Sequence, residues 1–220
     1  MPASAGPDWN PRGSQPAPSS GLLAAAVRDE HPGLRLSSIT VGLAGASASR
    51  APVALLRQLS DRFSAQEAIA MRTKGVAHAY RAFFRQVGLD PDIHRIPSEQ
   101  AAVERMLAGG WRSKHPIGDA CLVALIETGV AVWALDADRL DRAGLGIRVA
   151  TELDAQLAPV APGTLVIADG TRACAQLFCE PFVACAAGPG SARATLFAVA
   201  VDGVSELHVQ EALFCARELL

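Results

Sequence analysis

The chain has 220 residues, half of them hydrophobic and 19% charged, with a formal net charge of −2. That composition suits one domain with or without a tail, allows a sizeable core and excludes a chain disordered throughout. The small net charge excludes a global field that draws in nucleic acid. No apolar run approaches the ~18 residues of a membrane span. The charge is nonetheless uneven: 11 Lys/Arg stand against 6 Asp/Glu from Arg50 to His115, and 3 against 8 from Thr151 to Leu220. One basic face toward a phosphate backbone, or two helices with solvated charge, both fit this distribution.

In chain order, Met1–Ser20 is rich in Pro, Ala, Ser and Gly and lacks a basic start followed by an apolar stretch. It reads as a disordered tail rather than a signal peptide, leaving residues 21–220 as a single domain. Gly21–Glu30 is expected to be a short helix, stopped by His31-Pro32-Gly33. Leu34, Leu36, Ile39, Val41 and Leu43 alternate as a strand does, and Pro52–Arg62 reads as a helix. Ser64 with Glu67 forms a capping-box pattern. The apolar positions Ile69, Val76, Tyr80, Phe83 and Val87 then hold one helical face, with Gly75 as a break and Gly88 as the stop. Ser98 is expected to cap a helix over Glu99–Ala108, and Asp119 one over Ala120–Thr128, stopped by Gly129.

Beyond Gly129 the texture changes to short strand-like runs. These are Val130–Leu135, Leu145–Ala150, Thr164–Ala168, Arg172–Phe178 and Thr195–Val201, with Asp169-Gly170 as a hairpin turn. An amphipathic helix follows Ser205. Helices first and strands second predict an α+β fold, with helices packed on a mostly antiparallel sheet.

No phosphate loop, nucleophile elbow or His-Glu-x-x-His motif is present. Cys121, Cys174, Cys179, Cys185 and Cys215 are odd in number, have apolar neighbours and lack Cys-x-x-Cys spacing. They read as reduced thiols of a cytoplasmic protein, with no metal and no cofactor expected. Two clusters carry chemistry. Arg95-Ile96-Pro97-Ser98-Glu99 is a rigid turn into a helix. Trp111-Arg112-Ser113-Lys114-His115, leading to Asp119, gathers three cations, an indole and an acid on one loop. Such a loop fits a single-stranded nucleic acid end by charge and stacking, and equally an exposed loop without function. Cys121 reads either as a thiol acidified by Lys114 and His115 at a helix start, or as core packing.

Taken together, these stretches resemble the B3/4 domain, the editing module of the phenylalanyl-tRNA synthetase β subunit. The free-standing members of that family carry Ala-Tyr-Arg, a hydrophobic pair and Gly-(apolar)-Asp-Pro. Here these are Ala79-Tyr80-Arg81-Ala82-Phe83-Phe84 and Gly88-Leu89-Asp90-Pro91. The family's Arg-Pro-Ser-Ser-Glu-Ala is matched by Arg95-Ile96-Pro97-Ser98-Glu99-Gln100, and its Val-Asp by Gly118-Asp119. Asp136-Ala137-Asp138 and the strand ending Ala168-Asp169 follow in order, so the likeness runs from about residue 30 to 205.

The resemblance implies a B3/4 fold and trans-editing: hydrolysis of the ester joining a wrong amino acid to a tRNA 3′ end, with no metal or covalent nucleophile. A binding module for tRNA, an amino acid or a protein, with a degenerate pocket, is the alternative. It places His115, Asp119 and Cys121 as catalytic candidates, with His115 the proton acceptor. Trp133, Leu122, Ser98 and Glu99 become pocket residues, and Arg81, Arg95, Arg112 and Lys114 hold the tRNA end. The departures concern the pocket. The synthetase's Thr-Asn pair falls on Cys121 and Leu122, its histidine on Trp133 and its late-strand glutamate near Ala198. A large indole at Trp133 implies a pocket that excludes tyrosine and favours a small side chain.

Overall fold

A computed structural model of the protein describes residues 17–44, 46 and 50–220. The chain opens with β1 (Ser19–Ser20), β2 (Leu22–Leu23), α1 (Ala25–Glu30) and β3 (Arg35–Gly42). Five helices follow: α2 (Ala51–Arg62), α3 (Ala65–Thr73), α4 (Gly75–Gln86), α5 (Pro97–Ala108) and α6 (Pro116–Thr128). The remainder is β4 (Val132–Asp136), β5 (Gly146–Val149), α7 (Glu152–Leu157), β6 (Leu165–Ala168), β7 (Ala173–Gln176), β8 (Arg193–Ala200) and α8 (Glu206–Glu218). The fold is α+β, with two four-stranded sheets in place of the single sheet expected. One has the order β1-β3-β8-β4 and is antiparallel throughout. The other has the order β2-β5-β6-β7, and only its β2–β5 pair is parallel.

Strand β8 explains the first sheet. Ala194 to Ala200 are buried at every position, and the stretch is apolar except for Thr195, whose hydroxyl meets that of Thr40 at 3.0 Å. It pairs with β3 on one side (Leu36 opposite Val199, Ile39 opposite Leu196) and with β4 on the other. Helix α8 packs on β8 and β3, and α6 packs on β4 and α8. In α8 the buried Val209, Ala212, Leu213 and Ala216 follow the i, i+3, i+4, i+7 stripe of a core-facing helix. Helix α4 is tied to the sheet by Tyr80, whose hydroxyl donates to the Val199 carbonyl at 2.7 Å.

Several expectations are corrected at the boundaries. Residues 1–16 of the expected tail lie outside the described residues, whereas Ser19 and Ser20 pair with Ser38 and Ser37 as β1. The helix expected from Gly21 starts only at Ala25, because Leu22 and Leu23 are taken by β2. Gly21 lies between the two sheets, where a Cβ would stand 2.5 Å from the Leu36 Cδ2 and 2.8 Å from the Leu145 carbonyl oxygen. No side chain fits there.

The capping box forms: the Ser64 amide donates to Glu67 Oε2 at 2.6 Å, and the Glu67 amide to Ser64 Oγ at 3.2 Å. The helix it starts is broken at Lys74, which is extended. Ile69 therefore does not share a face with Tyr80 and Phe83, and is 70% exposed.

Asp169 shapes the β6–β7 hairpin as expected, its carboxylate accepting from the Thr171 and Arg172 amides and from that of Asp141. Asp136 likewise accepts from the Asp138 amide and the Ser191 hydroxyl. Among the described residues no helix is long and apolar enough to cross a membrane.

Candidate functional site

Helix α6 begins four residues earlier than the sequence suggests, and the reason is chemical. Pro116 takes the first helical position, where its missing N–H costs nothing. His115 is the cap, its Nδ1 accepting from the Gly118 amide at 3.1 Å. That bond places the proton of the neutral ring on Nε2. The ring therefore offers a donor, not the proton acceptor expected of His115.

Asp119 is 1% exposed and lies within the first turns of the helix. Its Oδ2 accepts from the Ser113 hydroxyl and its Oδ1 from the Lys114 amide at 2.9 Å. Both oxygens are thus engaged in folding loop 111–115 over the helix start, where the macrodipole also favours a negative charge. Asp119 is a loop anchor and not the helix cap.

This loop, α5, α6, β4 and the segment around Phe178–Ala187 enclose a cavity of about 620 Å³. Eight of the eleven residues singled out in the sequence line it: Arg95, Arg112, Lys114, His115, Asp119, Cys121, Leu122 and Trp133. Arg95, Arg112 and Lys114 are exposed, and none makes an ion pair among the described residues. Trp111 also borders the cavity, but its indole N–H donates to the Ala101 carbonyl at 3.1 Å and its ring meets Phe63 edge-on at 4.8 Å. It anchors the loop more than it presents a stacking face.

The apolar part of the lining includes Leu122, Leu125, Trp133 and Phe178. Trp133 is 7% exposed and stacks on its cross-strand neighbour Phe197, with ring centroids 5.5 Å apart. It is both core and cavity wall. Ala198 is fully buried in β8 opposite Val132.

Cys121 sits partly buried on the same lining. Burial, reinforced by the charge of Glu180, pushes its thiol up to about 12. The expectation of an acidified nucleophile is corrected: near neutral pH the group is a thiol, and the cations of the loop do not offset its desolvation.

Arg81, Ser98 and Glu99 lie elsewhere. Arg81 Nη1 donates to both Glu99 oxygens at 3.0 and 2.9 Å, and Nη2 donates to Asp92 at 2.8 Å. Arg72 joins from α3, reaching Glu99 at 3.3 Å and Asp92 at 2.6 Å. Hydrogen bonding to Asp92 raises the Arg81 guanidinium further above its ordinary value, and the Arg81 bond holds the Asp92 carboxyl below its own. The four side chains tie α3, α4, α5 and the turn between the last two, so Arg81 has no hand free for a phosphate. Ser98 does not cap α5, which begins at Pro97 after Ile96. Its hydroxyl is buried without a hydrogen-bond partner among the described residues.

Two lining residues escape the sequence pattern. Phe178 has φ of 61°, the only non-glycine residue in the left-handed region among those described. It occupies the third position of a turn in which the Cys179 amide donates to the Gln176 carbonyl at 3.0 Å, a place that usually takes glycine. Contacts with Tyr80, Phe83, Phe84 and Trp133, at centroid distances of 5.3 to 6.4 Å, hold the ring there. Glu180, two residues on, places an exposed carboxylate on the cavity. Neither position carries a local signal, since both depend on a turn that the side-chain packing enforces.

Among the described residues no group of three or more His, Cys, Asp or Glu side chains is placed to hold a metal ion. No family model matches the chain, and no curated protein matches its sequence.

Proposed function

We propose that the chain is a free-standing B3/4-type editing module, which binds the aminoacylated 3′ end of a tRNA in this cavity and hydrolyses a mischarged ester. The division of the cavity carries the reading. Arg95, Arg112 and Lys114 are cations without ion-pair partners among the described residues, suited to phosphates, whereas Leu122, Trp133 and Phe178 are suited to an amino acid side chain. The five described cysteines are free, in keeping with work on tRNA in the cytoplasm.

The chemistry needs little from the protein. A water adds to the ester carbonyl, the resulting oxyanion takes a hydrogen bond, and the C–O bond to the ribose breaks. The amino acid leaves as a carboxylic acid and the ribose oxygen takes up the proton of the water. His115 supplies a donor at Nε2 for the oxyanion, while the vicinal ribose hydroxyl relays the proton. The indole of Trp133 limits the side chain to a small one.

One observation favours a second reading, a binding module without turnover. Asp119 has both oxygens engaged, His115 has Nδ1 engaged and Cys121 is held as a thiol, so none is a free base. Deacylation of tRNAs mischarged with a panel of amino acids separates the two. The editing reading expects release of at least one small amino acid, slowed about 100-fold or more by His115→Ala, the lower end of what one oxyanion donor supplies, roughly 10²–10³. Tight binding of charged tRNA without release establishes the binding module. Failure to bind any charged tRNA overturns both tRNA readings and leaves a protein-binding module.

A further inference from the structure

The cavity has three carboxylates on its lining, and among the described residues only that of Glu180 has both oxygens without a hydrogen bond. Asp119 is consumed by the loop. Glu104 accepts a hydrogen bond at 2.9 Å from Gln100, one turn away on α5. Glu180 is exposed, and among the described residues it makes neither a hydrogen bond nor an ion pair with Arg95, Arg112 or Lys114. An exposed pairing with Arg95, Arg112 or Lys114 would contribute little, so among the described residues the carboxylate stays open to a ligand on the same lining. The backbone around it is well defined. The turn closed by Gln176 and Cys179, with Phe178 in its left-handed conformation, precedes it. Pro181 follows with a fixed φ and a bridge to Ala175. The charge also reaches the cavity lining, since it adds to the upward push on the Cys121 thiol.

We infer that Glu180 is the site for the ammonium group of the ligand, which makes the ligand class a primary-amine cation joined to a phosphate-bearing group. The inference rests on the aminoacyl-tRNA reading and narrows it: the recognised ester carries a free α-amino group. The basic loop takes the anionic end and Glu180 the cationic end. The faces of Trp133 and Phe178, on the same lining, add attraction for a cation. A blocked amine, as in an N-acylated aminoacyl-tRNA, carries no charge and loses the contact.

The test uses the full chain and its Glu180→Gln variant, with two ligands: a tRNA carrying alanine through a non-hydrolysable 3′-amide, and the same tRNA with the alanine N-acetylated. Dissociation constants are measured at one salt concentration. The wild-type protein is expected to prefer the free amine by roughly 10-fold or more, the worth of one hydrogen bond to a charged group. In Glu180→Gln that preference vanishes, while affinity for uncharged tRNA is unchanged. Equal binding of both ligands by the wild type overturns the Glu180 assignment and leaves the tRNA reading standing. Binding of neither overturns the tRNA reading and this inference with it. Glu180 is exposed, and an unchanged melting temperature confirms that the variant is folded.

Discussion

The cluster around Arg81 and the lining of the cavity are built from the same residue types and come to opposite ends. In the first, two arginines and two acids lie within 3.3 Å of one another and satisfy each other's charge. In the second, Arg95, Arg112, Lys114 and Glu180 face the cavity without a partner among the described residues. Both regions draw on Arg-x-x-Ser-Glu and Trp-Arg-x-Lys-His stretches that look alike in a sequence. Pairing separates them: a charge with its partner inside the fold holds helices together, and a charge left open waits for something from outside.

Breaking the scaffold side should produce the largest effect. Glu99→Ala leaves the 8% exposed Arg81 without its buried counter-charge and with only the exposed Asp92, at an expected cost of about 3 kcal/mol of folding stability. Urea denaturation checks this, and a loss under 1 kcal/mol would show that Arg81 re-pairs with Asp92 alone.

The pair Arg148–Asp154 extends the comparison to the second sheet, and comes next in size. Asp154 is 3% exposed and accepts from Arg148 at 2.6 and 2.8 Å, from Thr151 and from the Ala173 amide. The Arg148 guanidinium holds its carboxyl well below the usual range. Its folded value is depressed, so its contribution is fully present above the unfolded value of about 3.9 and is lost as pH falls through the folded value. Asp154→Asn should cost about 2–3 kcal/mol at neutral pH and flatten the acid limb of a stability–pH curve. An unchanged acid limb would place the acid sensitivity in other carboxylates.

The cavity side should give the smallest change in stability and a large one in binding. Arg112→Ala with Lys114→Ala is expected to stay within about 0.5 kcal/mol of the wild type. The slope of log affinity for single-stranded RNA against log salt should fall by about 1.4 for two lost phosphate contacts. A fall in stability beyond 1 kcal/mol would move these residues to the scaffold side and close the distinction.

What the sequence made legible follows the reach of each signal. The Ser64–Glu67 box, the Asp169-Gly170 hairpin and the Ser205 cap depend on neighbours within four residues, and they form as expected. The basic loop was visible for the same reason. Ser98 and Asp119 misled because proline at the first helical position starts each helix earlier than a cap-residue rule places it. His115 went unseen as a cap, since imidazole is not among the usual capping side chains. The division into two sheets rests on Leu22 pairing with Gly146, more than 120 residues away, for which no local pattern exists. Phe178 and Glu180 owe their places to a turn that distant aromatic rings stabilise against its own torsional preference.

The five residues from Ser19 to Leu23 belong to both sheets, with Ser19 and Ser20 hydrogen-bonded to β3, Leu22 and Leu23 to β5, and Gly21 threaded between. The second sheet has a minor core of its own, built around Val160, Val166 and three alanines, while Ile147 and Ile167 reach into the main one. A chain segment stitched through both layers makes them one cooperative unit. The smaller sheet is therefore expected to melt together with the larger one in a single calorimetric transition, and losing the stitch would expose two strand edges at once.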